Sequence, residues 1–317
     1  MANLNKSVLG FLSLVLAISQ LGEALGQGDT SEAPRKLAPG VITVIRDANI
    51  DDSTLDDARE FSELLSIAKP PEWTPNFDPT TETLLDKAKR TSFQREVWSL
   101  EFGFKPLRVI KVGGRDIWYL IYYVRNTGEA RTATTTTNTS IEITGRKKAV
   151  RFVPSFVLQA HDLNQSYGDK ILPEVVQQIA SKERVTRGRL HDGASIRKVQ
   201  IPVSTATADR RVWGVATWDE VDPRADLIST YVFGLTNAYQ WQAPTGGYKK
   251  GMDLTEQDVV KSKALQLNFW RAGDNVGLND DEFQFGLPHY PDQPARDQAV
   301  LRYYKLDKPV RHRWVYR

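Results

Sequence analysis

Ile117-Trp118-Tyr119-Leu120-Ile121-Tyr122-Tyr123-Val124 is an apolar run held between two turn signals, Gly113-Gly114-Arg115-Asp116 before it and Arg125-Asn126-Thr127-Gly128 after it. A run this short between such breakers suits a strand, and its β-branched and aromatic content points the same way. Successive side chains of a strand face opposite sides. A run with no polar alternate is therefore a central strand buried on both faces, with layers packed above and below it.

Upstream, Trp98, Leu100, Phe102 and Phe104 alternate with Ser99, Glu101 and Gly103, the pattern of a half-buried strand, and Leu107 to Val112 continues extended beyond Pro106. Downstream, Thr139 to Thr144 and Val150 to Leu158 flank a Gly145-Arg146-Lys147-Lys148 tip and predict a hairpin. Ser195 to Val203, Arg211 to Trp218, Leu227 to Leu235, Lys263 to Trp270, Glu282 to Leu287 and Val300 to Leu306 read as further strands. One segment has helical spacing: Pro173 to Glu183, with Leu172, Val175, Val176 and Ile179 on one stripe and Pro173 early, where it is tolerated. Many short strands with a single inserted helix predict a mainly β fold, an immunoglobulin-like or related β-sandwich over 93–317, whose C-terminal segment adds strands or wraps the sheet. No fixed-period repeat is visible, which argues against a propeller or solenoid.

The first 26 residues have a different character. Lys6 precedes an apolar stretch from Val8 to Leu21, and Ala24-Leu25-Gly26 supplies small residues where a signal peptidase reads. That is the layout of a secretory signal, and the stretch falls short of the ~20 residues of a membrane span. Export is therefore expected, to a periplasmic, cell-envelope or extracellular location, with a mature chain from near Gln27 and no integral span. Residues 27–92 are polar and proline-rich and read as an extended N-terminal arm. It carries a short strand at Val41 to Ile45 and a helical candidate from Asp52 to Ile67, stopped by Pro70-Pro71, with a further turn or two at Leu84 to Lys89.

The composition narrows the chemistry. The 317 residues are 40% hydrophobic and 26% charged, with a net charge of +3, so no overall field implies a nucleic-acid partner. Cysteine is absent, which excludes disulfides, thiol nucleophiles, cysteine–zinc sites and a lipid-modified cysteine. Stability must then come from core burial, for which 8 Trp, 12 Phe and 11 Tyr are ample material.

No phosphate loop, HExxH helix or Gly-x-Ser-x-Gly elbow occurs. His161-Asp162 and His191-Asp192 pair an imidazole with a carboxylate, but neighbours on an extended chain point to opposite faces. Both pairs therefore read as turn residues, and no catalytic residue is assigned. Two acidic loops could offer oxygen ligands to Ca²⁺: Asp219, Asp222 and Asp226 in the first, Asp274 and Asp281 in the second. Solvated turns are the commoner use of such runs, and no other cofactor is implied. Trp98, Trp118, Trp213 and Trp218 lie within strand patterns, whereas Trp241, Trp270 and Trp314 flank turns or the terminus and are candidates for stacking on sugar rings. Basic residues gather from Lys182 to Lys198, where an anionic envelope polymer could dock.

Several stretches form a familiar set. Trp213-Gly214-Val215-Ala216-Thr217-Trp218, Val221 to Asp226, Tyr231 to Tyr239, Leu265 to Asp274 and the closing Trp314-Val315-Tyr316-Arg317 together resemble uncharacterised secreted proteins of planctomycete bacteria. The resemblance runs from about Phe93 to Arg317. It implies export and a bacterial envelope setting, and brings no activity and no catalytic residue. The expectation is an exported, non-catalytic protein with a structural or interaction role toward an envelope protein or polysaccharide. The alternatives are a carbohydrate-binding module, a carboxylate-dependent hydrolase acting on glycan, or a calcium-stabilised adhesion domain.

Overall fold

The structure, a computed structural model, describes residues 42–45, 96–128, 130–135, 141–184, 189–241, 260–272 and 283–317. The strands are β1 (Thr43–Ile45), β2 (Glu96–Val97), β3 (Glu101–Phe104), β4 (Arg108–Val112), β5 (Arg115–Arg125), β6 (Ala130–Thr135), β7 (Ile141–Arg146), β8 (Val150–Arg151), β9 (Ser155–Ala160) and β10 (Gln165–Gly168). They continue as β11 (Gln200–Ile201), β12 (Val212–Trp218), β13 (Leu227–Phe233), β14 (Tyr239–Trp241), β15 (Val260–Arg271), β16 (Phe283–Phe285) and β17 (His312–Tyr316). The helices are α1 (Pro173–Lys182), α2 (Gly193–Ile196) and α3 (Pro294–Tyr304). The described residues are mainly β, and every pairing between these strands is antiparallel.

The apolar run is the middle of β5, and it is central. β12 lies along one side of it, while β3 and β4 share the other side and β1 adds beyond β3. Gly113 and Gly114 both have positive φ and make the two-residue turn from β4 to β5. Alternate residues of β5 enter two separate cores. Trp118, Leu120, Tyr122 and Val124 face the second sheet, whereas Ile117, Tyr119 and Ile121 face Val175 and Ile179 of α1. A helix on one face and a sheet on the other explain why the run has no polar alternate.

The second sheet runs in the order β10-β9-β13-β15, with β14, β16 and β17 also paired to β15. Phe156, Leu158, Ile228, Val232, Leu265, Leu267 and Phe269 turn inward from it and share one core with the first sheet. Tyr122 meets Phe156 with ring centroids 4.9 Å apart, and Phe104 meets Phe269 at 6.0 Å. Two close approaches need glycine. Gly214 lies opposite Tyr122 and Gly103 opposite Tyr123, and in each case the tyrosine ring occupies the space a Cβ would take. These two rings fill both faces of the first sheet without spreading its strands.

Strand order follows from the pairings above; the immunoglobulin-like connectivity is a finer assignment than these two sheets establish. Several local expectations are corrected. The hairpin predicted across 139–158 does not form, because β7 pairs back to β6 while β8 joins β11 and β9 joins β13 and β10. The strand expected at Ser195 to Val203 begins instead as α2. Asp192 accepts the Ser195 N–H at 2.6 Å and Ser195 Oγ accepts the Asp192 N–H at 3.1 Å, a capping box that starts a helical turn. Val300 to Leu306 is not a strand, since its residues to Tyr304 complete α3. The single inserted helix, α1, is thus joined by α2 and α3. Of the N-terminal arm, Thr43–Ile45 forms β1, while the signal segment and the helical candidates at 52–67 and 84–89 lie outside the described residues. No helix among the described residues is long and apolar enough to cross a membrane.

Candidate functional site

The acidic loop after β12 holds its carboxylates apart, each with its own arginine. Asp219 meets Arg115 at 2.8 Å, Asp222 meets Arg224 at 2.7 Å and Asp226 meets Arg271 at 2.8 Å. The Arg224 hydrogen bonds hold the Asp222 carboxyl down at about 2. Calcium needs six to eight oxygens around one point, and no group of three or more candidate ligands converges among the described residues. Asp274 and Asp281 lie outside them.

The candidate stacking rings divide similarly. Trp314 packs against the core between the sheets, and Trp270 is half-buried with its indole N–H enclosed and without a partner. Trp241 enters β14 opposite Val260, and its side chain lies outside the described residues. Among the described residues the exposed aromatic ring is Tyr303, 50% accessible, near the C-terminal end of α3.

Neither His-Asp pair forms a relay. Asp192 is occupied in capping α2, and His191 Nδ1 lies 3.3 Å from Ser195 Oγ. Asp162 accepts the backbone N–H groups of Leu163 and Asp226. His161 turns instead onto the outer face of the second sheet, where its Nε2 meets Ser229 Oγ at 2.8 Å. There the Ser229 hydroxyl donates to Asn268 Oδ1 at 2.8 Å, and the Gln266 amide donates to both Ser229 Oγ and Asn268 Oδ1. Serine has one proton to give. With that proton on Asn268, the His161 bond runs from ring to serine, opposite to what a general base needs. The network positions side chains and does not activate a nucleophile.

What it positions is positive charge. Ser229, Gln266 and Asn268 are completely enclosed, and Arg313 is bonded to one of them. Arg313 Nε donates to Gln266 Oε1 at 2.8 Å and its Nη2 to the Lys305 carbonyl at 3.2 Å, at the left-handed cap of α3. Arg317 lies over the Tyr231 ring at 4.2 Å and donates to Gln159 Oε1 at 3.2 Å. His161 meets the Tyr304 ring at a tilt, with centroids 4.7 Å apart. Burial first, then the charges of Lys305, Arg317 and Arg313, press its pKa down to about 4. All three cations therefore act on one spot, and no carboxylate pairs with any of them among the described residues.

The strands explain the placement. Ser166, Gln159, Ser229 and Asn268 stand in one cross-strand row over β10, β9, β13 and β15, and Tyr231, Gln266 and Arg313 stand in the next. Their inward alternates, Leu158, Thr230 and Leu267, enter the core. The alternation of Gln266 and Asn268 with Leu265, Leu267 and Phe269 was legible in the sequence as a strand with one polar face. Enclosure of that polar face, with Arg313 of the last strand bonded to Gln266, was not. Of the basic run from Lys182 to Lys198, Lys182 donates to the Val109 carbonyl and Arg197 to the Pro154 carbonyl, while Arg187 lies outside the described residues. Searches against protein-family models, curated proteins and solved structures return no match for the chain.

Proposed function

We propose that this chain is an exported, non-catalytic binding protein of the bacterial envelope or extracellular space, and that the outer face of its second sheet takes an anionic polymer. The observation that carries the reading is the trio Arg313, Arg317 and Lys305 over a buried polar row. Three fully enclosed polar residues on one sheet face are costly unless every group is satisfied. Here the network holds Arg313 through Gln266 and the His161 ring through Ser229. Held guanidinium groups lose less freedom on binding than free surface chains do, so the binding cost falls. The envelope address rests on the N-terminal segment.

Binding of the purified protein to immobilised polyanions (poly-L-glutamate, heparin and polygalacturonate) at low ionic strength tests the reading. At least one should bind and weaken as salt rises toward 0.5 M, as expected for exposed charges. An Arg313→Gln/Arg317→Gln variant with an unchanged melting temperature should lose at least tenfold in affinity. Absence of binding to all three, or binding that ignores both substitutions, would overturn it.

A further inference from the structure

We propose that the charged group this face recognises on its polymer is a phosphomonoester, held between Arg313 and Arg317. The inference rests on the anionic-polymer reading above and names the chemistry of the anion. Two features carry it, the meeting of two guanidinium groups at one place and the donors they keep free.

Tyr231 of β13 lies directly opposite Gln266 of β15, and Gln266 directly opposite Arg313 of β17, so the three are consecutive in one cross-strand row. Arg317 sets its guanidinium carbon 4.2 Å from the centre of the Tyr231 ring, while Arg313 Nε is bonded to Gln266, the next residue along the row. Both charges act on Tyr231, and both act on His161, whose Nε2 meets Ser229 on the same face of β13. A guanidinium carries five N–H groups. Arg313 spends one on Gln266 and one on the Lys305 carbonyl, and Arg317 spends one on Gln159, which leaves at least three on each. A carboxylate has two oxygens and is satisfied by one guanidinium fork, so a second guanidinium beside the first adds little for it. A phosphodiester likewise has two free oxygens and one charge. A phosphomonoester has three terminal oxygens and close to two negative charges at neutral pH, enough to engage both forks and balance both charges. A sulfate ester has the three oxygens but one charge, and leaves one cation unbalanced.

The test uses dextrans of one length carrying phosphate, sulfate or carboxymethyl groups at equal substitution, so that the anion alone differs. Each is titrated calorimetrically into the purified protein at about 0.15 M salt, where screening suppresses loose surface attraction. Phosphate dextran should bind about tenfold more tightly than either of the others. Arg313→Lys and Arg317→Lys keep the charge and lose the fork. Each should weaken phosphate dextran about tenfold and leave carboxymethyl dextran within about twofold, because a carboxylate still has the other fork. Arg317 is exposed, so its variant keeps the fold even if Arg313→Lys disturbs the network. Equal binding of phosphate and carboxymethyl dextran, or indifference of phosphate dextran to Arg317→Lys, would refute the phosphomonoester assignment and leave the anionic-polymer reading standing. Failure of all three dextrans and of heparin would remove both. Free glycerol 1-phosphate binding as tightly per phosphate as the dextran would uphold the phosphoryl chemistry and overturn the polymer as its source.

Discussion

Gly214→Ala tests the central packing claim, that the first sheet closes only because a glycine lies beneath Tyr122. An ideal Cβ at Gly214 would stand 2.5 Å from Tyr122 Cζ and Oη, against 3.4 Å where ordinary contact begins, so about 0.9 Å must be found. The ring has nowhere to yield. It is fully buried, with Phe156 at 4.9 Å, Phe102 at 5.4 Å and Phe152 at 5.9 Å by ring centroid. Overpacking of a tight core costs about 1–3 kcal/mol, and a confined aromatic facing backbone belongs at the upper end, near 3 kcal/mol. Guanidinium unfolding followed by tryptophan fluorescence should show a lower midpoint with an unchanged m-value. Gly168→Ala is the control: no atom lies within 4 Å of the added carbon, so it should stay within about 0.5 kcal/mol of wild type. Tyr122→Leu removes the ring and should recover most of the cost of Gly214→Ala in a double-mutant cycle. A loss below about 1 kcal/mol for Gly214→Ala, or strict additivity with Tyr122→Leu, would refute the reasoning.

Two further outcomes follow from buried charge. Glu183 lies just past α1 with its side chain 2% exposed; its carboxylate accepts from Lys105 at 2.8 Å, Arg108 at 2.7 Å and the Tyr119 hydroxyl at 2.8 Å. Burial raises its pKa, yet the bonds from Lys105, Tyr119 and Arg108 outweigh that and leave it lowered. Glu183→Ala strands the two cations and should cost about 3 kcal/mol in chemical unfolding; a change under about 1 kcal/mol would show that the cluster does not tie α1 to the sheet. His161 gives the pH dependence. Its folded pKa of about 4 lies below the ordinary 6.5, so the unfolded chain takes up a proton first as the pH falls. Stability is full above pH 6.5 and declines between 6.5 and 4, by up to about 3 kcal/mol for this group. His161→Gln should flatten that part of the stability–pH curve, and an unchanged slope would contradict the burial of a neutral ring.

The sequence was most legible where one environment dominates. The strands at Val212–Trp218, Leu227–Phe233 and Val260–Arg271 follow their period-two or apolar patterns, and α1 follows its stripe. It misled where local cues were faint. α3 ends on Lys305 in the left-handed conformation rather than on a glycine, so no ordinary stop signal marks it, while Pro294 at its start and the Val300–Tyr304 spacing were its helical cues. The hairpin prediction failed because adjacency in sequence does not fix pairing, and β7 found its partner upstream in β6.

At the candidate site the same division holds. Ser229, Gln266 and Asn268 alternate with apolar neighbours along their strands, and they bond to one another, to His161 and to Arg313 of the C-terminal strand across long sequence separations. Likewise, the acidic loop could be read as a calcium cluster until Arg115 and Arg271, 104 and 45 residues away from their carboxylate partners, joined Asp219 and Asp226.

By itself, then, the chain determined a buried central strand at Ile117–Val124 and a mainly β fold around it, because hydrophobic periodicity is local and survives without knowledge of partners. Only the tertiary structure decided that α1 covers one face of that strand and the second sheet the other. It alone brought three cations over one enclosed polar row. Which charges meet depends on strand order, and strand order joins residues that the sequence leaves far apart.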